Sequence, residues 1–419
     1  MPDLSLSDLN TGSLDVRDAS LAHAIVDAVL TRWLTLDYII TGLSGKNLSE
    51  QEPRMQAVLL GGAAQLLLMD RVPPHAVIDE SVEWAKTTIR PGAGGMVNAV
   101  LRKVSRTKGE RTDSWNHHLD SIPLSDGTGL MLQGIELPAN GRTRLVSACS
   151  LPTQLIRKWE KQFEDPTQQA LHTLSKAPTI INVKQARNPD DISDLGVHQS
   201  PNHKVYTGRR ADLIDLLSSR SDLWVQDSAS SRVVDELKFE NDPKIIIDFC
   251  AGQGTKTRQL RARFPHSELI ATDVDEKRLA KLSDVFIDDE QVRILHVDQI
   301  MNRELGFADL VLADVPCSNT GVLARRREAR YRPMRQQLAR ITPTQQEIAG
   351  NAYSLLKSGG RLVYSTCSLE AEENEVQAEW ISSQLNMSQI DGHRATPQGL
   401  PGGEACHYTD GSFSASFVK

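Results

Sequence analysis

Two cysteines of this 419-residue chain stand where chemistry can be done. Cys317 closes the segment Asp314-Val-Pro-Cys317, which follows the apolar run Leu310-Val-Leu312. Such a run reads as a strand buried on both faces of a parallel sheet, and the proline, with no N–H to give, ends it. Cys367 closes a second run of the same kind, Arg361-Leu-Val-Tyr-Ser-Thr-Cys367. In open α/β sheets ligands sit at the carboxyl ends of the strands, so a carboxylate and two thiols are delivered to one edge. Most free cysteines are small core residues. The chain has five (Cys149, Cys250, Cys317, Cys367, Cys406), and two at strand ends need a chemical reason.

A further strand-like run, Lys244-Ile-Ile-Ile-Asp-Phe249, leads into Cys250-Ala251-Gly252-Gln253-Gly254-Thr255-Lys256 and then a helical stretch. Glycines at a strand-to-helix turn let the backbone approach a ligand and aim helix N-terminal amides at it. Glu268-Leu-Ile-Ala-Thr-Asp273 ends in an acid at the place where a carboxylate can hold ribose hydroxyls, and Val292-Arg-Ile-Leu-His-Val297 is followed by Asp298. Each acid alone reads as a solvated loop residue. At successive strand ends they outline a site for a cofactor that carries one nucleoside. The dinucleotide signature G-x-G-x-x-G is absent, because Thr257 takes its third glycine's place. That counts against a nicotinamide dehydrogenase.

A nucleoside cofactor beside a nucleophilic thiol suits one difficult reaction. C5 of a pyrimidine is too poor a nucleophile to attack a methyl sulfonium. Thiolate addition at C6 makes C5 enamine-like; a base then removes the C5 proton and elimination frees the enzyme. Such a site needs an activated thiol, a group for N3, and a means of release.

The C-terminal half resembles the cytosine-5 RNA methyltransferases that use S-adenosylmethionine. Their D-x-P-C-S-x-T-G and T-C-S signatures are matched by Asp314-Val-Pro-Cys-Ser-Asn-Thr-Gly321 and Thr366-Cys-Ser368, the latter followed by Glu372-Glu-Asn374. The resemblance implies Cys367 as the nucleophile, Cys317 in product release, and cofactor contacts from Cys250 through Lys256, Asp273, Asp298 and Asp314, with Asp314 shared with the target base. Gln226-Asp-Ser-Ala-Ser230 matches the family's lead-in segment. The N-terminal part is similar to the NusB RNA-binding domain in Arg71–Glu80 and Gly95–Arg102. The fusion is that of the RsmB/Sun-type enzymes, which implies small-subunit (16S) ribosomal RNA as partner. The chain departs from the family at Thr255, where a glycine is usual, at Asn182 and Lys184, where R-x-N is common, at Gln154, and at Ser412.

The fold class that follows is multi-domain: an all-α NusB-like bundle, a small α+β subdomain, and an α/β Rossmann-like domain with a mainly parallel sheet. Helical periodicity runs from about Asp18 to Arg106, with Ser49-Glu-Gln-Glu52 reading as a capping box. The boundaries expected are 15–106 for the helical domain, 107–145 for a linker, 146–226 for the small subdomain and 227–419 for the methyltransferase domain.

The net charge of −7 speaks against a wholly basic binding surface, but Leu323–Arg335 is densely basic. Arg325, Arg326, Arg327 and Arg330 are the expected RNA phosphate contacts. The cysteine spacing shows neither a disulfide framework nor a zinc ribbon, and no metal is expected. No apolar run reaches membrane-spanning length, and Met1-Pro-Asp-Leu-Ser-Leu-Ser-Asp8 lacks the basic start of a secretory signal. A cytoplasmic monomer is expected. The rivals are a methyltransferase for another RNA target or an exocyclic nitrogen, and a NusB-like RNA-binding factor with a decayed catalytic half.

Overall fold

The computed structural model describes residues 9–302 and 305–419; the first eight residues, on which the expectation of no secretory leader rests, lie outside it. The chain divides into two compact units. The first takes the chain up to Lys176, together with Leu323–Arg332 and Leu400–Gly403.

That unit opens with helices α1 (Val16–Ser44), α2 (Pro53–Leu68), α3 (Pro74–Thr88) and α4 (Ala93–Thr107). Their stripes bury Leu36, Ile39, Leu59, Leu67, Val77, Val97 and Leu101, the faces that i, i+3, i+4 spacing marks. Asp15 caps α1 by accepting from the Asp18 amide, and Gly45, at φ 68°, ends it in a left-handed turn. The capping box expected at Ser49–Glu52 does not form. Leu48–Glu50 make a 3-10 turn, and α2 begins instead on Pro53, whose missing N–H is one that a first turn leaves unpaired anyway.

Residues 107–145 are folded, which corrects the linker expectation. Strands β1 (Lys108–Thr112), β2 (Ser121–Pro123) and β3 (Gly129–Leu132) make an antiparallel sheet in the order β1-β3-β2. Strands this short show no readable alternation, and the residues they bury, Ile122, Leu130 and Leu132, are scattered among Ser, Asp and Gly. Helices α5 (Gly141–Cys149), α6 (Thr153–Gln162) and α7 (Thr167–His172) follow in the same unit. The boundary expected at residue 146 therefore falls after Lys176.

The second unit opens with a four-stranded antiparallel sheet of β4 (Thr179–Asn182), β5 (Leu195–Gly196), β6 (His203–Tyr206) and β7 (Trp224–Val225), in the order β5-β6-β4-β7. Helix α8 (Arg210–Ser219) lies in this stretch and α9 (Ser228–Asp235) leads out of it. Strand and helix then alternate: β8 (Ile245–Asp248), α10 (Thr255–Arg263), β9 (Glu268–Asp273), α11 (Glu276–Val285), β10 (Val292–His296), α12 (Val297–Met301) and β11 (Ala308–Asp314). The chain closes with α13 (Met334–Leu355), β12 (Leu356–Thr366), α14 (Glu375–Gln384), β13 (Ser388–Ala395) and β14 (Ser412–Val418). The seven-stranded sheet runs β10-β9-β8-β11-β12-β14-β13; its first five strands are parallel, and β14 pairs antiparallel with both β12 and β13.

Alternate residues of the central strands enter opposite cores. Ile247, Val311, Ala313, Leu362 and Tyr364 share one, and Ile246, Leu310, Leu312 and Val363 the other. Burial on both faces explains the unbroken apolar runs. Register then places the site: Leu312 faces Asp248 and Asp314 faces Ser365, so β11 carries Asp314 two positions beyond the end of β8. No helix among the described residues is long and apolar enough to cross a membrane.

Candidate active site

At the ends of β11 and β12 the sulfurs of Cys317 and Cys367 lie 3.0 Å apart. Cys317 is 7% exposed and Cys367 is half-buried. The loops that carry them meet because Gly321 has no side chain: its amide donates to the Cys367 carbonyl at 2.9 Å, and a Cβ there would sit 2.8 Å from that oxygen. Asn319, in a left-handed turn at φ 63°, donates its side-chain amide to the Cys317 carbonyl at 3.0 Å. Its Oδ1 accepts from the Cys367 thiol at 3.2 Å. The hydrogen bond with Cys367, burial, and the charges of Cys367 and Glu373 hold the Cys317 thiol well above the ordinary range. Cys317 is therefore protonated when Cys367 is the thiolate.

Asp314 is gripped on both oxygens. Ser365 Oγ donates to Oδ1 at 2.7 Å, and Lys256 Nζ meets Oδ2 at 2.6 Å. Burial opposes the lysine's charge, but Asp314, with Cys367 and Asp248 beyond it, raises its pKa and keeps the ammonium. The turn that supplies Lys256 is built on two left-handed glycines, Gly252 at φ 59° and Gly254 at φ 85°. A Cβ on Gly254 would meet Leu282 Cδ2 at 2.6 Å, whereas the space over Gly252 is open. Thr255 is the first residue of α10, outside the left-handed region, so a β-branched residue is unstrained where the family usually has glycine.

The turn is held from the next strand: Ala251 N–H donates to the Thr272 carbonyl at 2.9 Å, and Gly252 N–H donates to Asp273 Oδ2 at 3.0 Å. Beneath it Asp248 is fully buried, accepts from Thr257 on Oδ2, and has no partner on Oδ1. A left-handed glycine turn at a helix start, an acid at the second strand end and a carboxylate edge fit a cationic nucleoside cofactor with a ribose diol. Burial pushes the Cys250 thiol up, which makes it a packing residue under the turn and not a nucleophile. Gln253 is exposed at the apex. Asp298 stands in the first turn of α12, its side chain 80% exposed and beside His296.

Residues 235–409 match the family model of the 16S rRNA methyltransferase RsmB/F, and residues 3–106 match the NusB family. The chain therefore carries a NusB domain followed by an RsmB/F methyltransferase domain. It is 26% identical to ribosomal RNA small subunit methyltransferase B of Escherichia coli O6:K15:H31 (strain 536 / UPEC), over 96% of this chain and 91% of that protein. The protein of the same name from Shigella sonnei (strain Ss046) matches at the same identity and coverage. The crystal structure of PH0851 superposes with a TM-score of 0.73 at 21% identity, covering 97% of this chain and 92% of that one. A methyltransferase homolog protein from Pyrococcus horikoshii gives a TM-score of 0.53 at 19% identity, over 67% of this chain and 100% of that one. At these identities the two structures speak for the fold. The cofactor of the RsmB/F methyltransferase domain is S-adenosylmethionine.

The basic run Leu323–Arg335 is divided by the fold. Arg330 was expected to contact phosphate, but it is 1% exposed, and its guanidinium donates to the carbonyls of Thr31, Thr173 and Leu323. It anchors Leu323–Arg332 within the first unit and is closed to RNA. Arg327 pairs with Asp27 at 2.9 Å, Arg325 is half-buried, and Arg326 is exposed. A charge run has no periodicity that marks which member turns inward; the neighbouring Tyr331, fully buried, was the one signal in the sequence. Asn182 is likewise buried, donating to Gln226 at 2.9 Å, and does not face RNA. Asn319, Ser365 and Gly321 do work at the site that strand and glycine patterns could not reveal.

Proposed function

We propose that this protein methylates C5 of a cytosine in small-subunit ribosomal RNA through a covalent adduct between Cys367 and C6 of the base. The observation that carries the reading is the 3.0 Å thiol pair beside the Lys256–Asp314 ion pair. Bound at the Gly252–Gly254 turn, S-adenosylmethionine supplies an electrophilic methyl group; Asp273 would hold its ribose and the turn amides its carboxylate.

The chain's own residues do the rest. Cys367 Sγ adds to C6 as thiolate, and the Lys256–Asp314 pair meets the charge that builds at N3. Once Cys367 is a thioether it no longer carries charge, and its hydrogen bond and charge cease to hold the Cys317 thiol up, leaving burial and Glu373. C5 then takes the methyl group as the methyl–sulfonium bond breaks, and Cys317, having lost its proton to solvent, takes the proton from C5 as thiolate. The C6–S bond breaks and Cys367 leaves as thiolate. Release thus follows attack because the first thiol's change of state frees the second. The NusB-like helices and the exposed Arg326 bind RNA phosphate.

The test is ribosomal RNA carrying 5-fluorocytosine, whose fluorine cannot leave as a proton. The expected result is a denaturation-resistant protein–RNA band that needs both the cofactor and Cys367. Turnover of ordinary RNA with no such band from its fluorinated form would rule out the covalent route.

A further inference from the structure

The two thiols belong to residues 50 apart in sequence, carried on separate loops. A single carboxylate joins the loops from beneath. Glu373 is fully buried. On the Cys317 side its Oε1 accepts from the Ser318 amide at 2.8 Å, and its Oε2 accepts from the Ser318 hydroxyl. On the Cys367 side Oε2 accepts from the Ser368 hydroxyl. Gln345, on α13, donates to Glu373 Oε1 at 3.1 Å and to the Pro316 carbonyl at 3.0 Å. Ser318, after Cys317, and Ser368, after Cys367, are therefore tied directly to one side chain, and Pro316, before Cys317, is tied to it through Gln345.

We propose that Glu373 is the positioning residue that sets the two sulfurs against each other. The proposal rests on the reading of Cys317 and Cys367 as the reacting pair. A carboxylate is the group for this task, because it accepts several hydrogen bonds at once and each is strengthened by its charge. An amide in the same place would turn an NH2 group toward donors from Ser318, Ser368 or Gln345, and at least one contact would be lost. The charge has a second consequence. It adds to the influences that hold the Cys317 thiol up, so Glu373→Gln should lower the pH at which Cys317 ionises. Glu373 touches neither base nor cofactor. Its effect reaches the chemistry only through the sulfurs.

The distance between sulfurs can be read without any methyl transfer. Diamide, an azo oxidant, takes the hydrogens of both thiols to become a hydrazine as the S–S bond forms. The full-length protein is treated with diamide, and the Cys317–Cys367 bridge is followed by mass spectrometry, with Cys149, Cys250 and Cys406 as internal references. In Glu373→Gln the bridge should form about tenfold more slowly or worse, because a displacement near 1 Å is enough to lose that much in a geometry-limited step. Binding of S-adenosylmethionine and the KM for RNA should stay within about twofold while kcat falls, and restoring the carboxylate should restore the rate. Alkylation of Cys317 in a Cys367→Ala background should also begin at lower pH once Glu373 is replaced.

Bridge formation at the wild-type rate in Glu373→Gln, with cofactor binding intact, would overturn the proposal. If the glutamine variant does not fold, Ser368→Ala removes one strut and must slow the bridge to a lesser degree; an unchanged rate there would also overturn it. Slow bridging in a protein that never methylates RNA would leave Glu373 in place and remove the reading of the reaction instead.

Discussion

Cys317 Sγ lies 3.0 Å from Cys367 Sγ, closer than two unbonded sulfurs pack by chance, although they end different strands. Adjacent parallel strands bring the loops near, Gly321 lets them touch, and Glu373 ties them below. Two thiols this close cannot both carry charge. The hydrogen bond with Cys367, then burial, hold the Cys317 thiol well above the ordinary range, so Cys317 is the one that keeps its proton.

Cys317→Ala should therefore stop the cycle after attack. The variant is expected to accumulate a covalent RNA complex that survives denaturing electrophoresis, while Cys367→Ala forms none. A Cys317→Ala protein that turns over normally would take the release role away from this residue.

The cofactor turn makes separate forecasts at adjacent positions. Gly254→Ala forces a side chain into a left-handed turn and against Leu282, and should destabilise by about 1–3 kcal/mol and weaken cofactor binding. Thr255→Gly restores the usual family residue but changes a helical position, so it should bring no gain in cofactor affinity and lose about 0.5–1 kcal/mol. Titration calorimetry and thermal melts measure both; a clear gain in affinity from Thr255→Gly would contradict the turn geometry.

Arg330 and Arg326 separate anchoring from binding. Arg330→Met leaves buried carbonyls of Thr31 and Thr173 without their donor, and should destabilise the first unit by about 2–4 kcal/mol in denaturant titrations. Arg326→Ala should leave the unfolding midpoint in place, weaken RNA binding and flatten its salt dependence. Equal unfolding midpoints for the two variants would argue against the buried anchor.

Asp248 predicts a pH effect with a definite sign. Burial, against the Thr257 hydrogen bond and with Asp314 adding to it, raises its carboxyl from 3.8 to about 7. Between those values the folded protein holds a proton that the unfolded chain releases. The stability this group contributes is full below the unfolded value and is lost as pH rises through the folded one. Asp248→Asn stays neutral, so its melting temperature relative to the wild type should climb from pH 4 to pH 8. Parallel melting curves across that range would show that Asp248 ionises normally.

The parallel strands were legible because burial on both faces leaves unbroken apolar runs, and the thiols and acids stood at the ends of those runs. The small sheet over residues 108–132 was not, because its strands have three to five residues and bury few side chains. The antiparallel edge β13–β14 was missed for a related reason. Ser388–Ala395 carries mostly polar, exposed residues, and Ser412–Val418 alternates serine with phenylalanine or alanine instead of running apolar. At the site, residue type at a strand end spoke for Cys317, Cys367 and Asp314. It could not speak for Asn319, Ser365 or Glu373, which act through contacts between loops that only the fold brings together. The arginine run misled at Arg330, since charge density predicts a surface and says nothing of which side chain will find carbonyl partners inside.

The most direct measurement is tritium release from small-subunit ribosomal RNA labelled at cytosine C5. Protein, RNA and S-adenosylmethionine are incubated together, with the wild type and Cys367→Ala in parallel. The account predicts release that requires the cofactor and disappears with Cys367→Ala, while that variant still binds S-adenosylmethionine. No release from a wild-type protein that binds the cofactor and methylates the same RNA would place the methyl group on another atom and contradict the mechanism.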